Sequence, residues 1–160
     1  MPKKTAPPPT DWLALDRQLC FALYAASHAM TKAYKPLLEP LGLTYPQYLV
    51  MLVLWQQDGL TVSQAGERLG LDSGTLTPLL KRLQAAGLVQ RLRDTGDERR
   101  VRLQLTPAGR TLRDRALPIP QALTAASGCG VDEIGALVQR LTELRRNLSS
   151  SSPVSPPSAA

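Results

Sequence analysis

Histidine is almost missing from this chain: His28 is the only one in 160 residues. Cysteine occurs twice, at Cys20 and Cys129. One histidine leaves little room for Ser-His-Asp or Cys-His catalysis. With both thiols it supplies three soft ligands, one short of a closed structural zinc site. No catalytic residue, metal or cofactor is therefore expected. Two cysteines do not make a disulfide scaffold. Aromatic residues are 4% of the chain, so the core must come from Leu, Ala and Val, which favours helix over strand. No apolar run approaches the roughly 20 residues that span a bilayer. The start, MPKKTAPPPT, has two lysines but no apolar stretch after them, so no secretory signal is read. The expectation is a cytoplasmic protein without a membrane partner. In a reducing compartment a transient disulfide makes more sense than a structural one.

What is present is a basic middle third. Residues 60–110 hold nine basic and five acidic groups, against five and four in 1–59 and again in 111–160. Such an excess suggests a polyanionic partner, although charge alone favours a solvated face. Residues 1–10 read as a disordered arm, and residues 149–160, SSSSPVSPPSAA, as a disordered Ser/Pro tail. One domain is expected over 11–148.

Asp11 is the expected cap of a helix over 12–34, ended by Pro36 and Pro40. Thr44, with Pro46 in the first turn, opens a second helix to Gln57, apolar nearly all round and so buried. TVSQAGERLG (61–70) and SGTLTPLLKRLQAAG (73–87) read as two short helices across a tight turn, a helix-turn-helix. In the second, Leu76, Leu79, Leu80 and Leu83 face inward, and Pro78 predicts a kink or a late start. Residues 88–106 alternate with period two around Asp94-Thr95-Gly96-Asp97, a β-hairpin with an arginine-rich face and tip. A hairpin after a helix-turn-helix is a wing. Pro107 opens a helix that Pro118 and Pro120 interrupt. After Gly128-Cys129-Gly130 an amphipathic helix, 131–148, carries Ile134, Leu137, Val138, Leu141 and Leu144 on one side. The fold class is thus mainly α with a small β-wing: a winged helix-turn-helix at 60–106 between flanking helices at 11–38 and 107–148.

Such a unit suits double-stranded DNA. Ser73, Gly74, Thr75 and Thr77 are small enough to approach base edges in the major groove. Lys81 and Arg82 suit phosphates. Arg91 and Arg93 line the wing, and Arg99 and Arg100 stand near its tip, where a narrow minor groove attracts guanidinium. Asp97 or Glu98 is expected to hold Arg99 by a bidentate pair.

GLVQRLRDTGDERRVRLQLTPAGR resembles the wing signature of MarR-type winged-helix repressors, an Asp-x-Arg tip followed by Leu-Thr-x-x-Gly: here Asp97, Arg99, Leu105, Thr106 and Gly109. The resemblance spans about residues 12–147. It implies an obligate homodimer whose N- and C-terminal helices interlock and whose two winged units read a pseudo-palindromic operator. Residues 15–55 and 71–83 are similar to the organic hydroperoxide-sensing branch, often called OhrR. That resemblance implies a peroxidatic Cys20, hydrogen-bonded by Tyr34 and Tyr45 with Tyr24 nearby. Some members carry a second, resolving cysteine near the C-terminal helices, and Cys129 matches that position loosely, which implies a disulfide with the other subunit and release of DNA.

The chemistry is reasonable from the residues. A thiolate attacks the peroxide O–O bond, and a second thiol condenses with the sulfenic acid. Phenol donors favour thiolate over thiol. Cys20 and Tyr24 share a helix face. LCFALY beside YLVMLVLW offers an apolar pocket for the peroxide's tail. Read without the resemblance, Cys20 is a small buried hydrophobe and the tyrosines are core, and His28 is a structural polar residue. Two other functions stay open at this point: a repressor released by a small aromatic ligand, and a thiol peroxidase, which has no recognisable catalytic scaffold behind it.

Overall fold

The computed structural model describes residues 11–151. The expected arm over 1–10 lies outside the described residues, as do residues 152–160 of the expected tail. The chain divides into two compact units, one ending at Pro118 and one beginning at Ile119.

In the first unit a 3-10 turn, Leu15–Arg17, precedes α1 (Leu19–Leu38). The expected helix over 12–34 is corrected at both ends. Asp11 accepts the N–H of Leu13 at 3.2 Å and caps no long helix. Gln18, extended at ψ 114°, delays the start to Leu19. Pro36 lies inside α1 and does not end it. The bond it removes is the one to the Lys32 carbonyl, at an exposed position that water can serve. A second 3-10 turn, Glu39–Leu41, makes the stop.

Thr44 caps α2 (Tyr45–Gln56) through a reciprocal pair with Gln47. This helix is the centre of the unit, with Tyr48, Val50, Met51, Val53 and Leu54 buried as its all-round apolarity requires. Thr61 and Gln64 repeat the capping box at α3 (Val62–Leu69). A Cβ on Gly66 would sit 2.7 Å from the Leu71 carbonyl oxygen, so the turn into α4 (Ser73–Ala85) closes against a glycine. Asp72 caps α4, its Oδ1 accepting the Thr75 N–H at 2.8 Å. Leu76, Leu80 and Leu83 are buried. Leu79 is only half-buried, because the helical period leaves it at the edge of that stripe. The expected late start after Thr77 is absent: α4 runs unbroken from Ser73 through Pro78. The carbonyl deprived of its N–H is that of Gly74, and both residues are exposed to water.

β1 (Val89–Arg93) pairs antiparallel with β2 (Val101–Leu105), Val89 opposite Leu105 and Arg91 opposite Leu103. This register corrects the expected arginine-rich face. Arg91 and Arg93 share the side of Val89, Leu103 and Leu105, the core side, while Gln90, Leu92, Arg102 and Gln104 lie opposite. The tip keeps Arg99 and Arg100. Residues 59–61 add a short third edge: Leu103 donates to the Leu60 carbonyl at 2.7 Å and Gly59 to the Leu103 carbonyl at 3.0 Å. Thr106 then caps α5 (Pro107–Ala116).

The second unit holds α6 (Ile119–Ser127) and α7 (Val131–Ser150). Gly128, left-handed at φ 69°, ends the first, and Gly130 caps the second. α7 takes in Ser149 and Ser150 of the expected tail. Its stripe of Ile134, Leu137, Val138, Leu141 and Leu144 contains no buried residue. Among the described residues no single helix is long and apolar enough to cross a membrane.

Candidate functional site

The first turn of α4 presents Ser73, Gly74 and Thr75 to solvent, and Thr77 is half-buried, its hydroxyl donating to the Ser73 carbonyl at 2.6 Å. The N–H and hydroxyl of Thr75 hold the Asp72 carboxyl below the usual range, so the cap stays ionised. Lys81 and Arg82 project from the exposed side further along the helix.

The basic block separates into committed and uncommitted cations. Arg110 pairs with Asp58 at 2.8 Å. Arg102 pairs with Asp94 at 3.1 Å and donates to the Gly59 carbonyl at 3.0 Å. Arg91 donates to Gln84 of α4 at 2.7 Å, and Arg68 to Gln57. Lys81, Arg82, Arg93 and Arg99 are exposed and form no salt bridge among the described residues. The expected bidentate pair of Arg99 with Asp97 or Glu98 is corrected: among the described residues Arg99 forms a salt bridge with neither. Asp97 Oδ1 accepts the backbone N–H of Arg99 at 3.0 Å, and its Oδ2 stands 3.6 Å from Arg100 Nε. Asp97 therefore shapes the tip's backbone and leaves the Arg99 guanidinium unpaired by it.

Asp58 ties the wing root together. It accepts the N–H of Leu105 at 2.8 Å as well as Arg110. Partial burial pushes its carboxyl up, and the bonds from Arg110, Leu105 and Gly59 outweigh that and hold it below the usual carboxylate range.

Cys20 is exposed in the first turn of α1. Tyr24, one turn on, stacks on His28 with ring centroids 4.3 Å apart. Tyr34 and Tyr45 are brought together, centroids 4.7 Å apart, with Tyr48 at 5.7 Å from Tyr34. Burial, then the neighbouring Tyr45 and Tyr48, push Tyr34 up to about 12. Burial raises Tyr45 too. Both therefore keep their protons at neutral pH, the form in which a phenol can donate. Cys20 is not with them. Tyr34 lies fourteen residues further along α1, about four helical turns away.

LCFALY is largely exposed in the protomer, and a cavity of about 730 Å³ opens at the other end of α1, lined by His28, Lys32, Lys35, Leu38, Leu43 and Tyr45 among others. Cys129, half-buried in the second unit, directs its Sγ at the Ser127 carbonyl, 3.7 Å away, beside a cavity of about 370 Å³. Among the described residues no group of three or more His, Cys, Asp or Glu is placed to hold a metal ion.

Tyr48, Asp58 and Asp94 join the candidate residues only in the structure. Tyr48 follows Tyr45 by three residues, the helical spacing that announces a shared face. Asp58 reads in sequence as a helix stop, and nothing local marks its partners 47 and 52 residues away.

Residues 43–101 match the MarR family. The HTH-type transcriptional regulator TtmR of Methylorubrum extorquens (strain PA1) is 53% identical over 135 residues, covering 84% of this chain and 69% of that protein. The organic hydroperoxide resistance transcriptional regulator of Bacillus subtilis (strain 168) is 47% identical over 138 residues, covering 86% and 94%. Among solved structures, reduced AbfR bound to DNA matches with a TM-score of 0.72 and 34% identity, over 86% of this chain and 96% of that one. AbfR, from Staphylococcus epidermidis, also matches with its disulfide formed, at a TM-score of 0.58 and 36% identity, over 82% and 93%. These relatives and this fold are those of regulators and not of enzymes. The helix pair, the wing and the relatives agree, and the chain belongs to the MarR family of winged helix-turn-helix transcriptional regulators.

Proposed function

We propose that this regulator is a homodimeric repressor that holds double-stranded DNA while Cys20 is reduced and releases it when an organic hydroperoxide oxidises that thiol. The observation that carries the reading is the placement of Cys20: exposed, at a helix N-terminus, on a surface where Leu19 and Phe21 are also uncovered. The Bacillus subtilis relative, an organic hydroperoxide resistance regulator, supports the choice of oxidant.

α1 and α7 each leave apolar side chains uncovered, the condition for an interface with a second copy. Two α1 helices related by a two-fold axis and running in opposite senses put the thiol end of one beside the tyrosine end of the other. The separation along α1 then has a simple meaning: Tyr34 and Tyr45 donate to the thiol of the opposite protomer, with Tyr24 beside it. The thiolate sulfur attacks the peroxide. The O–O bond breaks, an S–O bond forms, the peroxide leaves as alcohol after taking a proton, and Cys20 becomes a sulfenic acid. Cys129 of the partner subunit then attacks that sulfur, forming the disulfide and expelling water.

DNA is bound by two α4 helices in successive major grooves of a pseudo-palindrome, about 34 Å apart. Ser73, Gly74, Thr75 and Thr77 meet base edges. Lys81, Arg82 and Arg93 meet phosphates, Arg91 lies beside them with its Nε held by Gln84, and Arg99 and Arg100, on a tip shaped by Asp97, meet the minor groove. The disulfide changes the spacing of the two units, and affinity falls. This chemistry belongs in the cytoplasm, where reductants reset the switch.

The test is fluorescence anisotropy of reduced protein on its own upstream DNA, titrated with an organic hydroperoxide and then dithiothreitol. Release near one equivalent, reversed by reductant and absent in Cys20→Ser, is expected. Normal release of Cys20→Ser rejects the thiol mechanism. It would favour a second reading, a repressor released by a small aromatic ligand, for which the cavity beside Lys32, Lys35 and His28 is the supporting observation.

A further inference from the structure

We propose that Asp94 and Arg102 form a clamp that fixes the wing tip on the body of the protein, and that Arg99 reaches the minor groove at full strength only from the clamped tip. The inference rests on the DNA-binding reading above and assigns a positioning role to two residues that this reading leaves unused.

The tip, residues 94–100, has no apolar content to hold it: every residue from 95 to 100 except Asp97 is exposed. It is closed by hydrogen bonds and the Asp97–Arg100 pair. Asp94 donates its N–H to the Arg100 carbonyl at 2.8 Å, Arg100 donates to the Asp97 carbonyl at 2.9 Å, and Asp94 Oδ1 accepts the Gly96 N–H at 3.3 Å. Asp94 is therefore the base of the tip, and its side chain is only 13% exposed. Its remaining oxygen, Oδ2, takes Arg102 Nη2 at 3.1 Å. The other prong, Nη1, donates to the Gly59 carbonyl at 3.0 Å. Gly59 is followed by the edge that pairs with β2 and leads directly into α3, and preceded by Asp58, which is fastened to Leu105 and Arg110. A single guanidinium thus joins the tip to the segment that carries the helix-turn-helix. Both of its terminal nitrogens are spent internally, so Arg102, unlike Arg99, is not a spare cation for phosphate. The guanidinium holds the Asp94 carboxyl below the usual range, so the pair stays charged at neutral pH.

The sign of one substitution separates this role from simple electrostatics. Removing a carboxylate from a DNA-facing wing should strengthen binding, because it removes a repulsion. Removing a clamp should weaken binding, because the loosened tip must be ordered as Arg99 engages.

The experiment measures Kd of reduced full-length protein on its upstream DNA by anisotropy for wild type, Asp94→Asn, Arg99→Ala and the double variant, with a thermal midpoint for each. The expected result is about a fivefold loss for Asp94→Asn, of the size of ordering one tip, with a midpoint near wild type. Asp94→Asn should cost nothing further once Arg99 is Ala. Hydroxyl-radical footprints should lose minor-groove protection while major-groove protection over α4 persists, which a general loss of fold would not produce. Arg102→Lys keeps the charge but cannot span both partners, and should lose affinity in the same way. Asp94→Asn binding as tightly as wild type or tighter, or losing affinity equally in the Arg99→Ala background, overturns the clamp. If Arg99→Ala itself binds like wild type, the clamp and the wing reading fall together; if Arg99→Ala is weak and Asp94→Asn is not, the clamp falls alone.

Discussion

Trp55 donates its indole N–H to the Gly109 carbonyl at 2.9 Å, fastening α2 to the first turn of α5. Gly109 has no room for anything larger: a Cβ there would lie 2.1 Å from the Leu88 carbonyl oxygen and 3.3 Å from Leu105 Cδ2. That carbonyl is already held by the Thr106 N–H at 3.1 Å, so the backbone has little freedom to retreat. Gly109→Ala should push α5 off the wing root and cost about 3 kcal/mol. Urea unfolding followed by tryptophan fluorescence, at fixed protomer concentration, checks it. A midpoint equal to wild type would remove the steric argument.

Asp58 gives the wing root an acid limit. Its folded carboxyl titrates below its unfolded value, so its contribution is complete above about pH 4 and is lost as pH falls through the lower folded value. Asp58→Asn keeps an acceptor for Leu105 but loses the ion pair, a cost of about 1 kcal/mol at neutral pH. The gap in thermal midpoint between wild type and Asp58→Asn should narrow as pH drops below about 4. A gap constant with pH would show that the charge contributes nothing.

Much of this architecture is legible in the residues because its signals are local. The Leu-Thr-x-x-Gly run has a physical reading: Leu105 is buried, Thr106 caps α5 by accepting the Gly109 N–H, and Gly109 permits the approach of Leu88. Thr44 with Gln47 and Thr61 with Gln64 mark two helix starts in the same local way. The failures have non-local causes. Pro36 signals a helix end and Pro78 a late start that do not occur, because the carbonyls they deprive face water, a matter of burial that sequence period does not give. The arginine-rich face fails because period two fixes which residues alternate, while the partner strand and α4 decide which side is inward. Cys20 and the tyrosines are grouped by the family resemblance alone. Yet Tyr34 shares α1 with Cys20, some four turns further on, and a single-chain pattern does not say how that distance is closed.

The division of the cations predicts two different mutant phenotypes. Arg82 is exposed on α4 with no salt bridge among the described residues, so Arg82→Ala should lower the salt dependence of DNA binding by about one unit of log-log slope. Arg110 is already paired with Asp58. Arg110→Ala should leave the slope unchanged and lower the thermal midpoint instead. Equal slopes for wild type and Arg82→Ala would withdraw the phosphate role.

Because Tyr34 lies so far along α1 from Cys20, the two phenols and the thiol should complement each other between subunits. A heterodimer of a Cys20→Ser protomer with a Tyr34→Phe/Tyr45→Phe protomer keeps one thiol, served by the other chain's intact tyrosines. That thiol should react with organic hydroperoxide at the wild-type rate per site, measured by thiol loss in stopped flow. Reaction as slow as in the Tyr34→Phe/Tyr45→Phe homodimer would mean that the phenols act within their own chain.

Cys129 sits where a thiol can change partners. Gly128 and Gly130 flank it, and its sulfur makes a long contact to the Ser127 carbonyl, 3.7 Å. In the proposed cycle its attack on the sulfenic acid competes with further oxidation of Cys20. Wild type treated with one equivalent of organic hydroperoxide should therefore run as a covalent dimer on a non-reducing gel and return to monomer with dithiothreitol. Cys129→Ser should give no covalent dimer, and with excess peroxide its intact mass should rise by two and then three oxygens, the sulfinic and sulfonic acids that reductant cannot restore. A covalent dimer in Cys129→Ser would place the cross-link at Cys20 alone. Reversible release of DNA with no added oxygen in that variant would make Cys129 dispensable and the chain a one-cysteine switch.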